Sequence, residues 1–182
     1  MKNNSQSASL IKMKKGQVWI ETVIYTLIGL AIIGVLLSVI KPAIEEKKDQ
    51  ILIDKSLTMM ETLHDKVEEV VRYGTGNSRM IEIQLTKGNL VINSEKDNIE
   101  FLMKSSYMYS ELGKNVSIGD INVTTTKEDS KYNIKLVLVY SNLNLTWNGK
   151  ETSQIFQPTP APYKMTVVNN GTIGQLIQVD FS

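Results

Sequence analysis

The chain has no cysteine, one histidine and only four prolines in 182 residues. Without cysteine there is no disulfide scaffold, no thiolate zinc site and no cysteine nucleophile. A single histidine, His64, excludes a multi-histidine metal centre. Acidic residues are missing altogether before Glu21, and Lys2, Lys12, Lys14 and Lys15 all fall in that stretch. The formal net charge of +1 therefore conceals a basic leader and a net-acidic remainder, which argues against a basic nucleic-acid-binding domain. What is present is ordinary for a folded protein: 42% hydrophobic and 21% charged residues, too apolar for a chain disordered throughout. The length suits one sizeable core with an appendage.

The appendage is apolar. From Thr22 to Ile40 the sequence TVIYTLIGLAIIGVLLSVI carries no charge. A helix of that length covers about 28 Å, close to the hydrocarbon thickness of a bilayer. Lys12, Lys14 and Lys15 stand directly before it, and positive flanks stay cytoplasmic. On the far side, residues 41–49 are mixed in sign and give no competing bias. The expectation is a membrane-inserted precursor with a cytoplasmic N-terminus and everything after Ile40 outside the cell. Four N-x-S/T acceptor triplets fall in that outer part, at Asn115, Asn122, Asn144 and Asn170, and support the orientation as potential N-glycosylation sites. A secretory signal peptide fits poorly, because its apolar region is shorter and ends at a small-residue cleavage site. Here the small residue, Gly16, precedes the apolar run, directly after Lys14-Lys15, and Gln17-Val18-Trp19-Ile20-Glu21 follows.

This Lys-Lys-Gly-Gln…Glu arrangement resembles the class III signal peptide of type IV pilins, archaeal pilins and archaellins in particular. The resemblance covers about 25 residues, Lys14 to Ile40. It implies cleavage between Gly16 and Gln17 by a membrane peptidase, with Lys14 and Lys15 as the leader charge and the apolar helix kept in the mature protein. Glu21 would take the fifth mature position, usually a glutamate in the family, where it meets the terminal amine of a neighbouring subunit during assembly. Trp19 departs from the small residue that many archaeal members carry at the third mature position. The resemblance further implies other copies or related pilins, a prepilin peptidase, an assembly ATPase and a membrane platform protein as partners. From position alone a second account stays open: Glu21 at headgroup depth, snorkelling, with no partner.

Beyond Lys41-Pro42 the helical pattern resumes. Ile53, Leu57, Met60, Leu63, Val67 and Val70 form one apolar stripe at helical spacing, with charged residues opposite, and Gly74-Thr75-Gly76-Asn77 stops it. A straight helix from Gln17 to Tyr73 would extend about 85 Å, and Pro42 is expected to kink or loosen it.

From Arg79 the period changes to two. Ile81, Ile83 and Leu85 alternate, and 132–140 (YNIKLVLVY) is the strongest strand pattern in the chain. Asn148-Gly149 and Asn170-Gly171 each predict a hairpin turn, the first between 143–147 and 152–156, the second between 165–168 and 173–179. Three of the four prolines lie in 157–162, an extended connector. Seven to nine antiparallel strands in one sheet or a small sandwich are expected. The fold class is thus α+β: a long N-terminal helix, transmembrane then amphipathic, packed on a C-terminal antiparallel β domain, the lollipop of pilins. The corresponding division is a leader 1–16, a hydrophobic assembly helix 17–41, an amphipathic extension 42–76 and an extracellular β domain 77–182.

Little else suggests chemistry. His64 beside Asp65 would need a nucleophile and a pocket to act as a catalyst. Gly74-Thr75-Gly76 lacks the Lys-Ser/Thr of a phosphate loop, and 127–131 (KEDSK) lacks the closing glutamate of a calcium loop. No enzyme, cofactor or metal is expected, although an extracellular enzyme using carboxylates alone is not removed by sequence. Tyr107, Tyr109, Trp147 and Tyr163 read as core or sheet-face residues before a carbohydrate-binding patch. The favoured expectation is a structural subunit of an extracellular adhesive filament. The alternative is a tethered or minor pilin-like β domain that binds a glycan or partner.

Overall fold

The computed structural model describes residues 4–182, with side chains from Trp19 onward. It divides into two compact units, Met1–Ile44 and Glu45–Ser182. Helix α1 (Asn4–Tyr73) supplies the first unit and enters the second, and Pro42 lies inside it. Ten strands follow: β1 (Ser78–Ile83), β2 (Asn89–Asn93), β3 (Asn98–Ser105), β4 (Asn115–Ile118), β5 (Ile121–Glu128), β6 (Lys131–Val139), β7 (Leu143–Trp147), β8 (Gln154–Phe156), β9 (Tyr163–Ile173) and β10 (Leu176–Phe181). The class is α+β. The strands, one more than the seven to nine expected, form two sheets, ordered β1-β9-β10-β7 and β4-β5-β6-β3-β2-β8. Pairing is antiparallel except between β7 and β10, which run parallel.

In the second unit, the stripe Ile53, Leu57, Met60, Leu63, Val67 and Val70 is buried, as its spacing requires. These side chains share one core with Ile81, Ile83, Met165 and Val167 of the four-stranded sheet. They share it too with Phe101, Ile134 and Leu136 of the six-stranded sheet. Period-two alternation in β3 and β6 sends every second residue into this core. Gly74, at φ +84°, ends the helix in a left-handed conformation that favours glycine. The Asn77 side-chain amide then donates to the carbonyls of Tyr73 (2.6 Å) and Gly74 (3.0 Å), which have no helical partner.

Two predicted hairpins come out differently. Asn148-Gly149 makes its turn, with Trp147 and Lys150 exchanging backbone bonds of 2.9 and 3.1 Å. The flanking strands nevertheless belong to different sheets, β7 to the four-stranded and β8 to the six-stranded. The turn is held to β10, because Asn148 N–H donates to Phe181 O (2.8 Å) and Gly149 N–H to Asp180 Oδ1 (2.7 Å). Asn170-Gly171 is no turn. It lies within β9, and the chain reverses at Gly174-Gln175, where Ile173 pairs with Leu176.

Asn169 accounts for that displacement. It is 2% exposed; its Nδ2 donates to Val70 O (3.1 Å) and its Oδ1 accepts from Gly171 N–H (2.9 Å). Its backbone exchanges bonds with the segment leaving the helix, from Gly76 N–H (2.8 Å) and to Asn77 O (3.0 Å). One buried amide thus fixes the helix end to β9 and keeps β9 extended past Asn170. Replacing Asn169 by Ala strands a buried carbonyl and a buried N–H, and should cost about 1–3 kcal/mol, read as a lower urea midpoint of the detergent-solubilised chain.

Candidate functional site

The first unit presents an unpartnered apolar surface. Of the large hydrophobic residues from Trp19 to Ile40, all are exposed: Trp19 and Tyr25 to 70%, Leu27 and Leu30 to 60%, Val39 to 67%. Exposure on every side of a helix is not what a soluble protein tolerates. The segment belongs to a helix long and apolar enough to cross a membrane; its most apolar 18 residues have a mean hydropathy of 2.7, and none of them is buried.

Two hydroxyls in this segment are suited to an apolar surrounding. Thr26 Oγ1 donates to Thr22 O (2.8 Å) and Ser38 Oγ to Val35 O (2.7 Å), so these hydroxyls are satisfied by the helix itself. Gly29 and Gly34 have open space where a Cβ would stand. Glu21 is exposed and is the one carboxylate between Trp19 and Ile40. Lys14, Lys15, Gly16 and Gln17, the expected leader charge and cleavage junction, fall within α1, ahead of the residues whose side chains are described.

The four acceptor triplets occupy three settings. Asn115 and Asn122 face one another across the β4–β5 hairpin, where Asn115 pairs with Thr124 and Ser117 with Asn122. Asn122 Oδ1 accepts from Asn115 Nδ2 (3.4 Å) and Ser117 Oγ (3.0 Å). Asn144 is half-buried in β7, and its companion Thr146 is 2% exposed and donates to Asp180 Oδ1 (2.6 Å). Asn170 and Thr172 are both exposed in β9.

The remaining sequence candidates are structural in their contacts. Trp147, Phe156 and Tyr163 pack edge-to-face, with ring centroids 5.5 and 5.0 Å apart, and Tyr107 packs on Tyr109 at 6.5 Å. All four of the aromatic residues singled out by sequence lie half-buried against the core. His64 sits between Tyr140 and Asp120: Nδ1 is 3.3 Å from the Tyr140 hydroxyl and Nε2 3.3 Å from Asp120 Oδ2. Burial pushes the Tyr140 phenol well above its ordinary range, with Glu68 and Asp120 adding to the shift, so it stays protonated. Among the described residues, no three His, Asp or Glu side chains converge so as to hold a metal ion.

A buried carboxylate that sequence did not single out stands at the start of the second unit. Asp49, in the charged run after the apolar segment, is 5% exposed. It accepts from Lys87 Nζ and from Ser106 N–H (2.6 Å), tying α1 to the segment before β2 and the segment after β3. Nothing local marks it. Its neighbours Glu45, Glu46, Lys47 and Lys48 are all exposed.

Compared with known proteins, the chain matches no family model, no curated protein and no solved structure.

Proposed function

We propose that the chain is a structural subunit of an extracellular filament of the type IV pilin kind, serving surface adhesion. On this reading it is made as a membrane precursor with its N-terminus in the cytoplasm, cut after Gly16 and polymerised through its apolar helix. The observation that carries the proposal is the pairing of a wholly exposed apolar helix with a second unit whose core is complete without it. Such a helix needs lipid first and other helices afterwards. At ~25 cal/mol per Å² of apolar area, reburying it supplies a large driving force for assembly. Glu21 and the amine created at Gln17 stand four residues apart, about one helical turn, where a neighbouring subunit's opposite charge can neutralise each. A prepilin peptidase, an assembly ATPase and a membrane platform protein are the partners that the Lys14-Lys15-Gly16-Gln17 resemblance implies.

The test is the amino-terminal sequence and intact mass of the protein recovered from its native cell surface. A chain beginning at Gln17 and released by shear as filaments is the expected result. A chain beginning at Met1 or Met13 overturns the proposal and leaves a tethered β domain whose exposed face binds a glycan or partner.

A further inference from the structure

We infer that Asn170 is the N-glycan acceptor of the folded protein, and that the other three triplets are closed or encumbered by folding. The inference rests on the reading that the β unit lies outside the membrane, because the glycosylating machinery of a cell acts there on N-x-S/T triplets.

A triplet is read through two groups, the asparagine amide and the hydroxyl two residues on. Both must be free of partners within the protein and reachable together. At Asn144 they are not. Thr146 is 2% exposed and its hydroxyl donates to Asp180 Oδ1 (2.6 Å), while Gln178 Nε2 lies 3.5 Å from it. Opening this triplet would also release Asp180, which holds the Asn148-Gly149 turn through Gly149 N–H. At the β4–β5 hairpin the two triplets occupy each other. One carbonyl, Asn122 Oδ1, accepts from both Asn115 Nδ2 and Ser117 Oγ, so engaging either triplet breaks bonds made by the other.

Asn170 differs on each count. Its side chain and that of Thr172 are exposed on one pleat of β9, while Asn169 and Gly171 between and beside them are buried. No hydrogen bond is made by either side chain among the described residues. The backbone adds an independent feature. Asn169 pairs with Val179 and Gly171 with Gln178, so β9 advances two residues while β10 advances one and Asn170 has no partner in the register. Such a bulge bends the strand locally and re-aims a side chain. Asn169, buried and bonded to both Val70 O and Gly171 N–H, fixes this bulge in place. The acceptor is therefore displayed by a rigid element rather than by a loose turn.

The donor required is an oligosaccharide on a lipid pyrophosphate. Asn170 Nδ2 attacks the anomeric carbon, a C–N bond forms, and the C–O bond to phosphate breaks. The amide gives up one proton and the lipid pyrophosphate departs. No oxidant or reductant enters.

Glycopeptide mapping of the protein from its native cell surface tests this, with the amino terminus sequenced on the same sample. The expected result is a glycan on the Asn170 peptide and none on the Asn144 peptide. Asn170→Gln and Thr172→Ala should each remove that glycan mass; the second leaves Asn170 in place and alters an exposed side chain only. An unmodified Asn170, or an Asn144 occupied as fully as Asn170, overturns the inference. If the chain starts at Gln17 while Asn170 is bare, the inference fails and the filament proposal stands. A start at Met1 or Met13 with Asn170 occupied is the converse.

Discussion

Replacing Glu21 by Ala should leave the precursor inserted and cut after Gly16, yet abolish filaments. The apolar run tolerates the change in lipid, since removing a carboxylate from a helix edge only makes insertion easier. Assembly is a different matter. On the proposed filament reading, each cleaved chain carries an amine at Gln17 that enters an apolar bundle with the helix. With Glu21 in place, a neighbour's carboxylate can neutralise it. Without Glu21 the amine is a buried, unpaired charge, and breaking a buried pair costs about 3 kcal/mol or more. That alone is more than a hundredfold in an association constant, applied at each subunit added. The measurement is the sheared-filament yield against the membrane-held pool, with intact mass verifying the cut at Gln17. Glu21→Asp, which keeps the charge but draws it back by one methylene, should recover part of the yield. Normal filaments from the Ala variant would show that Glu21 sits at headgroup depth with no partner, the simpler account that its position also allows.

The features that sequence made legible are those whose cause is local. The run from Thr22 to Ile40 follows from an unbroken stretch of uncharged residues and the stripe from Ile53 to Val70 from one periodicity, each read along the chain, and both are helix in the structure. Gly74 with Asn77 ended the helix because turn chemistry is decided by neighbours. The strand over 132–140 was visible for the same reason. Pairing was not. Whether β7 meets β8 or β10 depends on residues far along the chain, and Asp180, thirty-odd positions from the Asn148-Gly149 turn, settles it through Gly149 N–H. Asn170-Gly171 misled because a dipeptide that favours positive φ also suits a bulge. The buried Asn169 beside it, bonded across 99 positions to Val70 O, outweighs that local preference. Of the candidate site, the position of Glu21 was legible as a lone carboxylate at the edge of an apolar run. The unequal standing of the four acceptor triplets was not, since it turns on what Thr146, Ser117 and Asn122 touch.

Asp49 gives the largest expected effect on stability. Burial by itself would raise its carboxyl pKa, but the hydrogen bonds from Lys87 and from Ser106 N–H, with the Lys87 charge, outweigh burial and hold the group below the usual carboxylate range. Because the folded value is depressed, the stabilisation is present above the unfolded pKa, near 4, and is lost as pH falls through the folded value. Asp49→Asn keeps the shape and can still accept from Ser106 N–H, but removes the charge opposite Lys87. Lys87 is one-third exposed, so water recovers part of the loss and the cost belongs at the low end for a broken buried pair, about 3 kcal/mol at pH 7. In a chain of this size that is on the order of 10 °C in the thermal midpoint. The β-sheet circular dichroism of the detergent-solubilised protein should show that gap at pH 7 and a smaller one at an acid pH below the depressed folded pKa, where the native carboxyl has lost its charge as well. A gap of equal size at both values would mean that Asp49 acts through shape and its bond to Ser106 rather than through its charge. In that case the joint between α1 and the two strand segments would be insensitive to acid.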